Sequence, residues 1–234
     1  MDVLLIGDDA RSLELLAFIV RQGHWVPLTA YTLDKALAAQ EKSPARLAVV
    51  EINSSVADSV ALCQALKQKL LAPVIVISPW NDEASQLRLY EAGADDCILR
   101  PYSPRILEKK IRVLLRLSGG APPATLSSLE SGLVSLNPER LTVTIRSREP
   151  LRLGPLEFRL LYILLSNSGR VIPTNDLIDK VWGYGGEGSR DLLKGLVSRL
   201  RSKLEPDSRL PHYIRTVPGV GYSFSPAEDE RKEQ

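Results

Sequence analysis

Short apolar runs alternate with amphipathic stretches along the first half of the chain, and the alternation occurs five times. The runs lie at residues 3–6, 25–29, 47–52, 74–77 and 97–99. Continuous apolar strands separated by helices are typical of a parallel sheet that is covered on both faces. The pattern therefore predicts a doubly wound α/β domain with a five-stranded sheet, and ligands of such folds bind at the carboxyl ends of the strands.

The second half has a different pattern, with strand candidates first, helices next and a hairpin last. Strands are predicted at residues 133–136, 141–145 and 150–153, helices at 155–168, 174–181 and 189–205, and hairpin strands at 213–217 and 221–224. The last helix has apolar residues at i, i+4, i+7 and i+11, which form one face of a helix. They are Leu193, Val197, Leu200 and Leu204. Three helices followed by a hairpin indicate a winged helix-turn-helix.

The length and composition favour two domains joined by a linker. A chain of 234 residues with 44% hydrophobic residues can bury two cores. We expect a first domain at residues 1–117, a Gly-, Pro- and Ser-containing linker at 118–128, a second domain at 129–226 and a charged tail at 227–234. The sequence has no run of eighteen apolar residues, and acidic residues follow soon after Met1, which together predict a cytoplasmic protein without a membrane segment.

Charge is distributed unevenly between the two predicted domains. Residues 1–117 contain 14 basic and 14 acidic residues, residues 118–226 contain 14 and 10, and the tail contains 2 and 4. The positive excess lies with the basic helix, as the neutralisation of phosphates requires. Cys63 and Cys97 are the only cysteines, and their apolar surroundings predict core thiols rather than a disulfide framework or a metal site.

Polar residues follow the predicted strands of the first domain at the edge where ligands bind. The strand ends carry Gly7, Asp8 and Asp9 after the first strand, Glu51 in the third, Ser78 after the fourth, and Arg100 and Pro101 after the fifth. We expect the acids, the hydroxyl and the cation to converge in one pocket.

Both halves resemble the OmpR/PhoB response regulators. Three segments carry the resemblance in the second domain: LGPLEFRLLYILLSNSGRVIPTNDLIDKVWG, SRLRSKLEP and HYIRTVPGVGYSF. Residues 3–116, including EAGADDCILRPYSP, are similar to the receiver domain of the same family. The resemblance implies a DNA-binding transcriptional regulator that acts as a homodimer on promoter DNA and is not an enzyme.

The receiver resemblance implies a pocket in which four of six functional positions are altered. In the family, an aspartate of the third strand takes a phosphoryl group, two acids hold magnesium, a Ser or Thr and a Lys hold the phosphate, and an aromatic residue reports the switch. Asp8 and Ser78 keep the family's residue types. Gly7, Glu51, Arg100 and Cys97 replace a magnesium acid, the phosphoacceptor, the Lys and the aromatic residue.

These replacements predict a receiver that acts without phosphorylation and without a cofactor. The longer Glu51 side chain moves its oxygen out of line for phosphoryl transfer, and Gly7 leaves the magnesium site one acid short. Two interpretations of the pocket stay open. Glu51 could bond to Ser78 and to Arg100, which can form bidentate pairs, and so imitate the phosphorylated state. Alternatively, the pocket is a relic with a salt bridge and no switching.

Candidate DNA-binding residues lie on the basic helix and in the hairpin. They are Arg190, Lys194, Ser198, Arg199 and Arg201 on the helix, and Arg215 in the hairpin. Arg201 could instead pack within the domain. Asp191, Leu196 and Pro218 occupy positions where the family often has Arg, His and Arg, and Leu192 or Leu196 could contact a thymine methyl instead.

The resemblance also suggests protein partners. Asp95 and Lys110 match charged positions that pair across the family's dimer face, and Ile106 offers an apolar contact there. Residues 181–188 match a loop that approaches RNA polymerase in the family. Whether a sensor kinase is a partner stays open. The alternative function is that of an adaptor that acts through protein contacts of the receiver and does not bind DNA.

Overall fold

The computed structural model describes residues 1–118, 128–146, 148–182, 190–207 and 209–225, with side chains of the first range described to residue 116. The chain divides into two compact units, Met1–Gly119 and Gly120–Gln234. Residues 119–127 of the predicted linker and the predicted tail lie outside the described residues. No helix in the described ranges is long and apolar enough to cross a membrane.

The first unit is a parallel sheet covered by helices, which confirms the predicted doubly wound α/β fold. Its strands are β1 Asp2–Gly7, β2 Val26–Ala30, β3 Leu47–Glu51, β4 Val74–Ser78 and β5 Asp96–Leu99. Its helices are α1 Ala10–Gln22, α2 Leu33–Lys42, α3 Val56–Lys69, α4 Glu83–Glu91 and α5 Pro104–Ser118. The strand order is β2-β1-β3-β4-β5. Pro27 is tolerated because β2 lies at the edge, where one side of the strand needs no ladder hydrogen bonds.

The helices cover the two faces of this sheet and bury its central strands. α1 contacts α5, while α2, α3 and α4 contact one another in a row. Every residue of β3 and β4 is buried, which explains their continuous apolar sequences. The first four helices each begin with an N-cap residue whose side chain accepts a hydrogen bond from a backbone N–H of the first turn. These caps fix where the loops between the strands and the helices end. They are Asp9, Thr32, Ser55 and Asp82.

The second unit combines two antiparallel sheets with three helices, which confirms the predicted winged helix. Its strands are β6 Leu129–Ser131, β7 Val134–Asn137, β8 Thr142–Ile145, β9 Leu151–Arg152, β10 Val171–Pro173, β11 Ile214–Val217 and β12 Gly221–Phe224. Its helices are α6 Pro155–Ser166, α7 Thr174–Trp182 and α8 Arg190–Leu204, and each packs against the other two. The sheets have the orders β6-β7-β8-β9 and β10-β12-β11.

The hairpin of β11 and β12, here called the wing, is held to strand β10 by a close backbone contact. Gly221 of β12 lies opposite Pro173 of β10. A Cβ atom at Gly221 would overlap the carbonyl oxygen of Ile172, so only glycine lets the two strands approach this closely. Gly219 in the turn of the wing has a positive φ of 74°, which glycine adopts without strain.

Candidate functional site

An ion pair between Arg100 and Glu51 occupies the pocket at the carboxyl ends of the strands. Arg100 follows β5 and extends past β4 to Glu51, the last residue of β3. Its Nε donates to Glu51 Oε1 at 2.6 Å, and its Nη2 donates to the same oxygen. The guanidinium therefore holds one carboxylate oxygen with two donors rather than forming a fork across both oxygens.

Two further residues complete the binding of the Arg100 guanidinium. Nη1 donates to Asn53 Oδ1 at 2.9 Å, and Nη2 donates to Ser12 Oγ at 3.1 Å. Neither Asn53 nor Ser12 was predicted as a pocket residue. Their positions in the sequence could have identified them as pocket residues, since Asn53 comes two residues after β3 and Ser12 lies in the first turn of the helix after β1. Both belong to the same edge of the sheet as the predicted residues.

Glu51 is almost completely removed from water. Its exposed fraction is 1%, and Oε2 has no hydrogen-bond partner among the described residues. Burial raises the pKa of the Glu51 carboxyl above its ordinary value, and the hydrogen bond and charge of Arg100 oppose this shift. Burial near the same carboxylate also raises the pKa of Tyr102 to about 12.

Three other residues at the pocket edge are engaged locally. Asp8 accepts from the backbone N–H and the side-chain amide of Asn53 at 3.0 and 3.2 Å. Asp9 accepts from the backbone N–H of Ser12, which lowers the pKa of its carboxyl. Ser78 Oγ accepts from Trp80 N at 3.1 Å and donates to Trp80 O at 3.4 Å. The hydroxyl thus bonds to the loop after β4, whereas the prediction that the pocket imitates the phosphorylated state expects a bond to Glu51.

The carboxylates of this pocket do not fit a magnesium ion. Mg²⁺ requires oxygen ligands in an octahedral arrangement. Asp8 is bonded to Asn53, Asp9 caps α1, and the bonded oxygen of Glu51 faces a guanidinium. Within the described ranges, no group of three or more His, Cys, Asp or Glu side chains is placed to hold a metal. A Cβ at Gly7 would also lie 3.1 Å from the backbone oxygen of Glu51, so an added acid there would need a small shift of β3 or of Leu13.

Both cysteines pack inside the first unit. Cys63 of α3 is fully buried, and Cys97 of β5 is partly buried. Burial raises the pKa of the Cys97 thiol well above its ordinary value, and the charge of Asp96 acts in the same direction. A thiol with a raised pKa stays protonated and is a weak nucleophile.

The residues predicted for a dimer face lie in different environments. Asp95 is 4% exposed, bonds to Lys67 Nζ at 2.9 Å and accepts from Val74 N, so its carboxylate lies on the α3 side. Lys110 of α5 donates to Asp96 of β5 at 2.8 Å within the same chain. Ile106 is 41% exposed on α5 and, unlike Asp95, is available for a surface contact.

In the second unit, the basic residues nearest the start of α8 face a cleft beside the wing. Arg190, Lys194 and Ser198 are exposed on α8, and Arg215 is exposed on β11. The cleft has a volume of about 330 Å³ between α8, the start of α7 and the wing. Arg190 and Lys194 line one side of it, and Thr216 and Val220 line the other. Such a cleft concentrates positive charge where a nucleic-acid backbone could lie.

The other two arginines of α8 bond within the domain. Arg201 donates to the carbonyl oxygen of Ile214 at 3.0 and 2.7 Å and to Thr216 Oγ1 at 2.8 Å. Arg199 lies with its Nε 3.8 Å from Glu157 of α6. Leu192 and Leu196 are buried as well, so the suggestion that they contact thymine methyl groups is wrong. The apolar face of α8 is wider than the four predicted leucine and valine positions because α8 packs against both α6 and α7.

Two buried acids that the sequence analysis missed hold the second unit together. Glu157 of α6 accepts from Gly154 N at 2.8 Å and from Lys203 Nζ at 2.6 Å, so it joins α6 to α8. Glu205, just after α8, accepts from the backbone N–H groups of His212, Tyr213 and Ile214. The capping-box spacing signalled Glu157, since it lies three residues after Gly154. Nothing in the local pattern identified Glu205.

Comparisons with known proteins agree with this architecture. Residues 3–112 match the family model described as response regulator receiver domain, and residues 148–224 match the model described as transcriptional regulatory protein, C terminal. The sensory transduction protein RegX3 of Mycolicibacterium smegmatis is 34% identical over 224 residues, which cover 95% of this chain and 98% of that protein. The chain belongs to the OmpR/PhoB family of response regulators. It is therefore a response-regulator transcription factor of a type that binds promoter DNA and often dimerises.

Further relatives of this OmpR/PhoB-family regulator also extend over nearly its whole length. The transcriptional regulatory protein AfsQ1 of Streptomyces coelicolor is 32% identical and covers 97% of this chain and 98% of that protein. A solved structure of a RitR mutant has a TM-score of 0.73 at 21% identity and covers 96% of this chain and 99% of that chain, which supports the fold. Residues 183–188, in the loop that the family resemblance relates to RNA polymerase, lie outside the described residues.

Proposed function

We propose that this regulator binds promoter DNA as a homodimer and that its receiver acts without phosphorylation. The observation that carries the proposal is the ion pair of Glu51 and Arg100 in the position of the phosphoacceptor pocket. This function places the protein in the cytoplasm, with the DNA that it regulates.

The surroundings of Glu51 support independence from phosphorylation. Phosphoryl transfer depends on an accessible, aligned oxygen and on a metal ion that neutralises developing charge. Glu51 Oε1 is bonded to Arg100, and the residue as a whole is buried. The acids that could bring a metal to it are bonded to Asn53 and to the start of α1. A phosphodonor would therefore meet neither an available nucleophile nor a bound cation.

The same ion pair supports a lock that connects three elements of the receiver. Arg100 follows β5, Glu51 ends β3, and Ser12 lies in α1, so the guanidinium joins the two strands and the helix. A hydrogen bond to a charged group contributes about 1.5–3 kcal/mol net, and the cost of burying Glu51 offsets part of it. Moving a two-state balance from 1:99 to 99:1 takes roughly 5.5 kcal/mol. Two such bonds could thus hold a large fraction of the receiver in one state.

Apolar and charged groups on β5 and α5 support dimerisation through the receiver. Leu99 at the end of β5 and Ile106 on α5 are both exposed, and the Lys110–Asp96 pair lies on the same two elements. A two-fold interface uses the same surface of both subunits, so both copies of these residues would be buried. Asp95 has no part in this proposal because it lies on the α3 side.

Exposed polar groups of α8 and the wing support DNA binding by the second unit. The second helix of a helix-turn-helix lies in the major groove with its first turns near the bases. Arg190, Lys194 and Ser198 are exposed there, and Arg215 extends the basic surface along the wing. Arg201 instead fixes the wing to α8, and Arg199 lies beside Glu157.

One comparison of variants tests the lock, the dimer and the role of the pocket together. Sedimentation and duplex binding are measured for the wild type, Glu51→Gln, Arg100→Ala and the double variant, without phosphodonor. Each single change is expected to weaken dimerisation and DNA affinity about tenfold, because each removes the same charged contact. The double variant should be no worse than either single one. Glu41→Gln, an exposed Glu on α2, is the matched control and should behave as the wild type.

Other outcomes of this comparison favour the alternatives. Wild-type behaviour in all three variants would establish a relic pocket. A monomer at tens of micromolar protein, with and without acetyl phosphate, would contradict the dimer. Salt-independent or absent binding to duplex DNA would favour the adaptor, and acetyl phosphate labelling of Glu51 would contradict independence from phosphorylation.

A further inference from the structure

One stripe of α8 carries the residues that are available for contact outside the domain. Its buried residues face α6 and α7, and they include Leu193, Leu196 and Leu200. The opposite side carries the residues with the most accessible side chains. They are the exposed Arg190, Lys194, Ser198 and Ser202, with the half-exposed Asp191 among them. This stripe is where α8 would face the bases if it lies in the major groove, as the proposed function requires.

The stripe has a basic edge and an acidic edge. Arg190 and Lys194 line the cleft beside the wing. At 3.6 residues per turn, Asp191 lies about 100° around the helix from Arg190, and unlike Arg190 it does not line the cleft. Arg190 therefore places positive charge at the cleft edge, and Lys194, about 40° around the helix from Arg190, lies between the two edges. A carboxylate lies on the other edge of the same surface.

Asp191 and Lys194 form an ion pair on this stripe. Lys194 Nζ lies 3.0 Å from Asp191 Oδ1, and the two side chains are 60% and 32% exposed. The pair places a strong donor next to a strong acceptor on the surface that would meet DNA. Its stability contribution at this exposure is small, so it leaves both groups able to exchange partners.

A carboxylate in a protein–DNA interface is repelled by phosphates, and it favours binding only where it accepts a hydrogen bond from a donor on the DNA. In the major groove, the donors are the exocyclic amino groups of cytosine and adenine. A C·G pair presents the cytosine N4 amino group beside two adjacent acceptors, guanine O6 and N7. In an A·T pair, the adenine amino group lies between the acceptors N7 and O4 and would repel an ammonium placed there.

We propose that Asp191 and Lys194 together recognise one C·G base pair in the major groove. Asp191 accepts a hydrogen bond from cytosine N4, and Lys194 donates to guanine O6 or N7. The ion pair of the free protein shows that both side chains reach the same part of the stripe. This inference rests on the proposed DNA binding by α8, and it makes Asp191 a specificity-determining residue.

Selection of binding sites from random duplexes by the full-length protein tests the inference. We expect one position of the selected site to be nearly always cytosine for the wild type. Asp191→Ala should reduce the preference at that position by about 5- to 100-fold and leave other positions unchanged, since a good base contact discriminates by this factor. Affinity for random DNA should rise in the same variant, because a negative charge is removed from the surface.

Two further variants separate base recognition from an effect on the helix. Asp191→Asn keeps the shape of the side chain and should shift the preference at the same position toward adenine, which amides bind in a bidentate way. Glu130→Ala removes an exposed acid of β6, outside α8 and the wing, and should select the wild-type site. Identical sites for the wild type and both Asp191 variants would overturn this inference alone. Failure of the wild type to select any duplex would overturn the proposed function and this inference with it.

Discussion

Glu51 is deeply buried, and only one of its two carboxylate oxygens is hydrogen-bonded. Arg100 contacts one of its oxygens, while the other lies among the strand ends without a hydrogen-bond partner in the described residues. Desolvation of that charge outweighs the favourable effect of Arg100 on the pKa, and the charges of Asp8 and Asp9 add to the shift. The carboxylate is therefore retained at a cost in stability.

This shift predicts a pH dependence of stability with a definite sign. The folded pKa of Glu51 lies above its ordinary value of 4.5, so the folded protein keeps a proton at pH values where the unfolded chain has released it. Stability from this group should then fall as pH rises from about 4.5 through the folded pKa. Thermal unfolding of the wild type and Glu51→Gln from pH 4 to 8 measures it. The stability of Glu51→Gln relative to the wild type should increase as pH rises. A difference in stability that does not change with pH would contradict the raised pKa of Glu51.

At the scale of residues, the sequence predicted the pocket's members better than their bonds. Glu51 and Arg100 were placed together because parallel strands bring their carboxyl ends to one edge. Ser78 lies at that edge, but its hydroxyl bonds to the backbone of Trp80, two residues further along the chain. Side-chain directions of this kind depend on loop geometry that periodicity does not encode.

At the scale of elements, side chains at the end of α8 are hydrogen-bonded to the backbone of β11, the first strand of the wing. Glu205 binds the N–H of Ile214, and Arg201 binds its carbonyl oxygen, so the two side chains hold both sides of β11's first residue. These bonds replace the partner strand that β11 lacks on its outer edge.

Removing Glu205 should therefore destabilise the second unit strongly. Glu205→Ala leaves the N–H groups of Tyr213 and Ile214 buried without an acceptor, and each such group costs about 1–3 kcal/mol. We expect a loss of about 2–5 kcal/mol in the free energy of unfolding, measured by denaturant titration. The exposed acid Asp207, whose partner Arg209 is at the surface, is the control, and Asp207→Ala should cost less than about 1 kcal/mol. Equal losses in both variants would refute the anchoring role.

The three helices of the second unit were predictable from the sequence, and two of its short strands were not. Helices α6, α7 and α8 have sustained apolar periodicity, and their predicted bounds lie within two residues of those observed. Strands β6 and β10 have three residues each, too few to show an alternation. β10 also ends in Pro173, and it pairs only because Gly221 allows β12 to approach.

At the scale of the whole molecule, two compact units share one chain, so dimerisation of one unit changes the binding of the other. A receiver dimer would bring two copies of α8 to one DNA molecule, which raises the effective concentration of the second copy. The full-length protein should then bind a site with two half-sites about 100-fold or more tightly than the second unit alone.

Titration of the full-length protein and of residues 120–234 on the same duplexes checks this. On a single half-site, the two proteins should bind alike. Ile106→Asp places a charge in the proposed interface, so it should reduce the full-length protein to the affinity of the second unit. Equal affinity of the wild type and the second unit for paired half-sites would show that the receiver does not couple the two copies.

The Glu51–Arg100 pair also has a consequence for timing. A phosphoryl signal has a lifetime, because hydrolysis or a phosphatase ends it. An ion pair built from the chain's own atoms forms when the protein folds and lasts until the protein is degraded. Under the proposed function, the quantity of active regulator would follow its synthesis, dilution and proteolysis, so promoters would respond over generations of growth rather than over seconds of signalling.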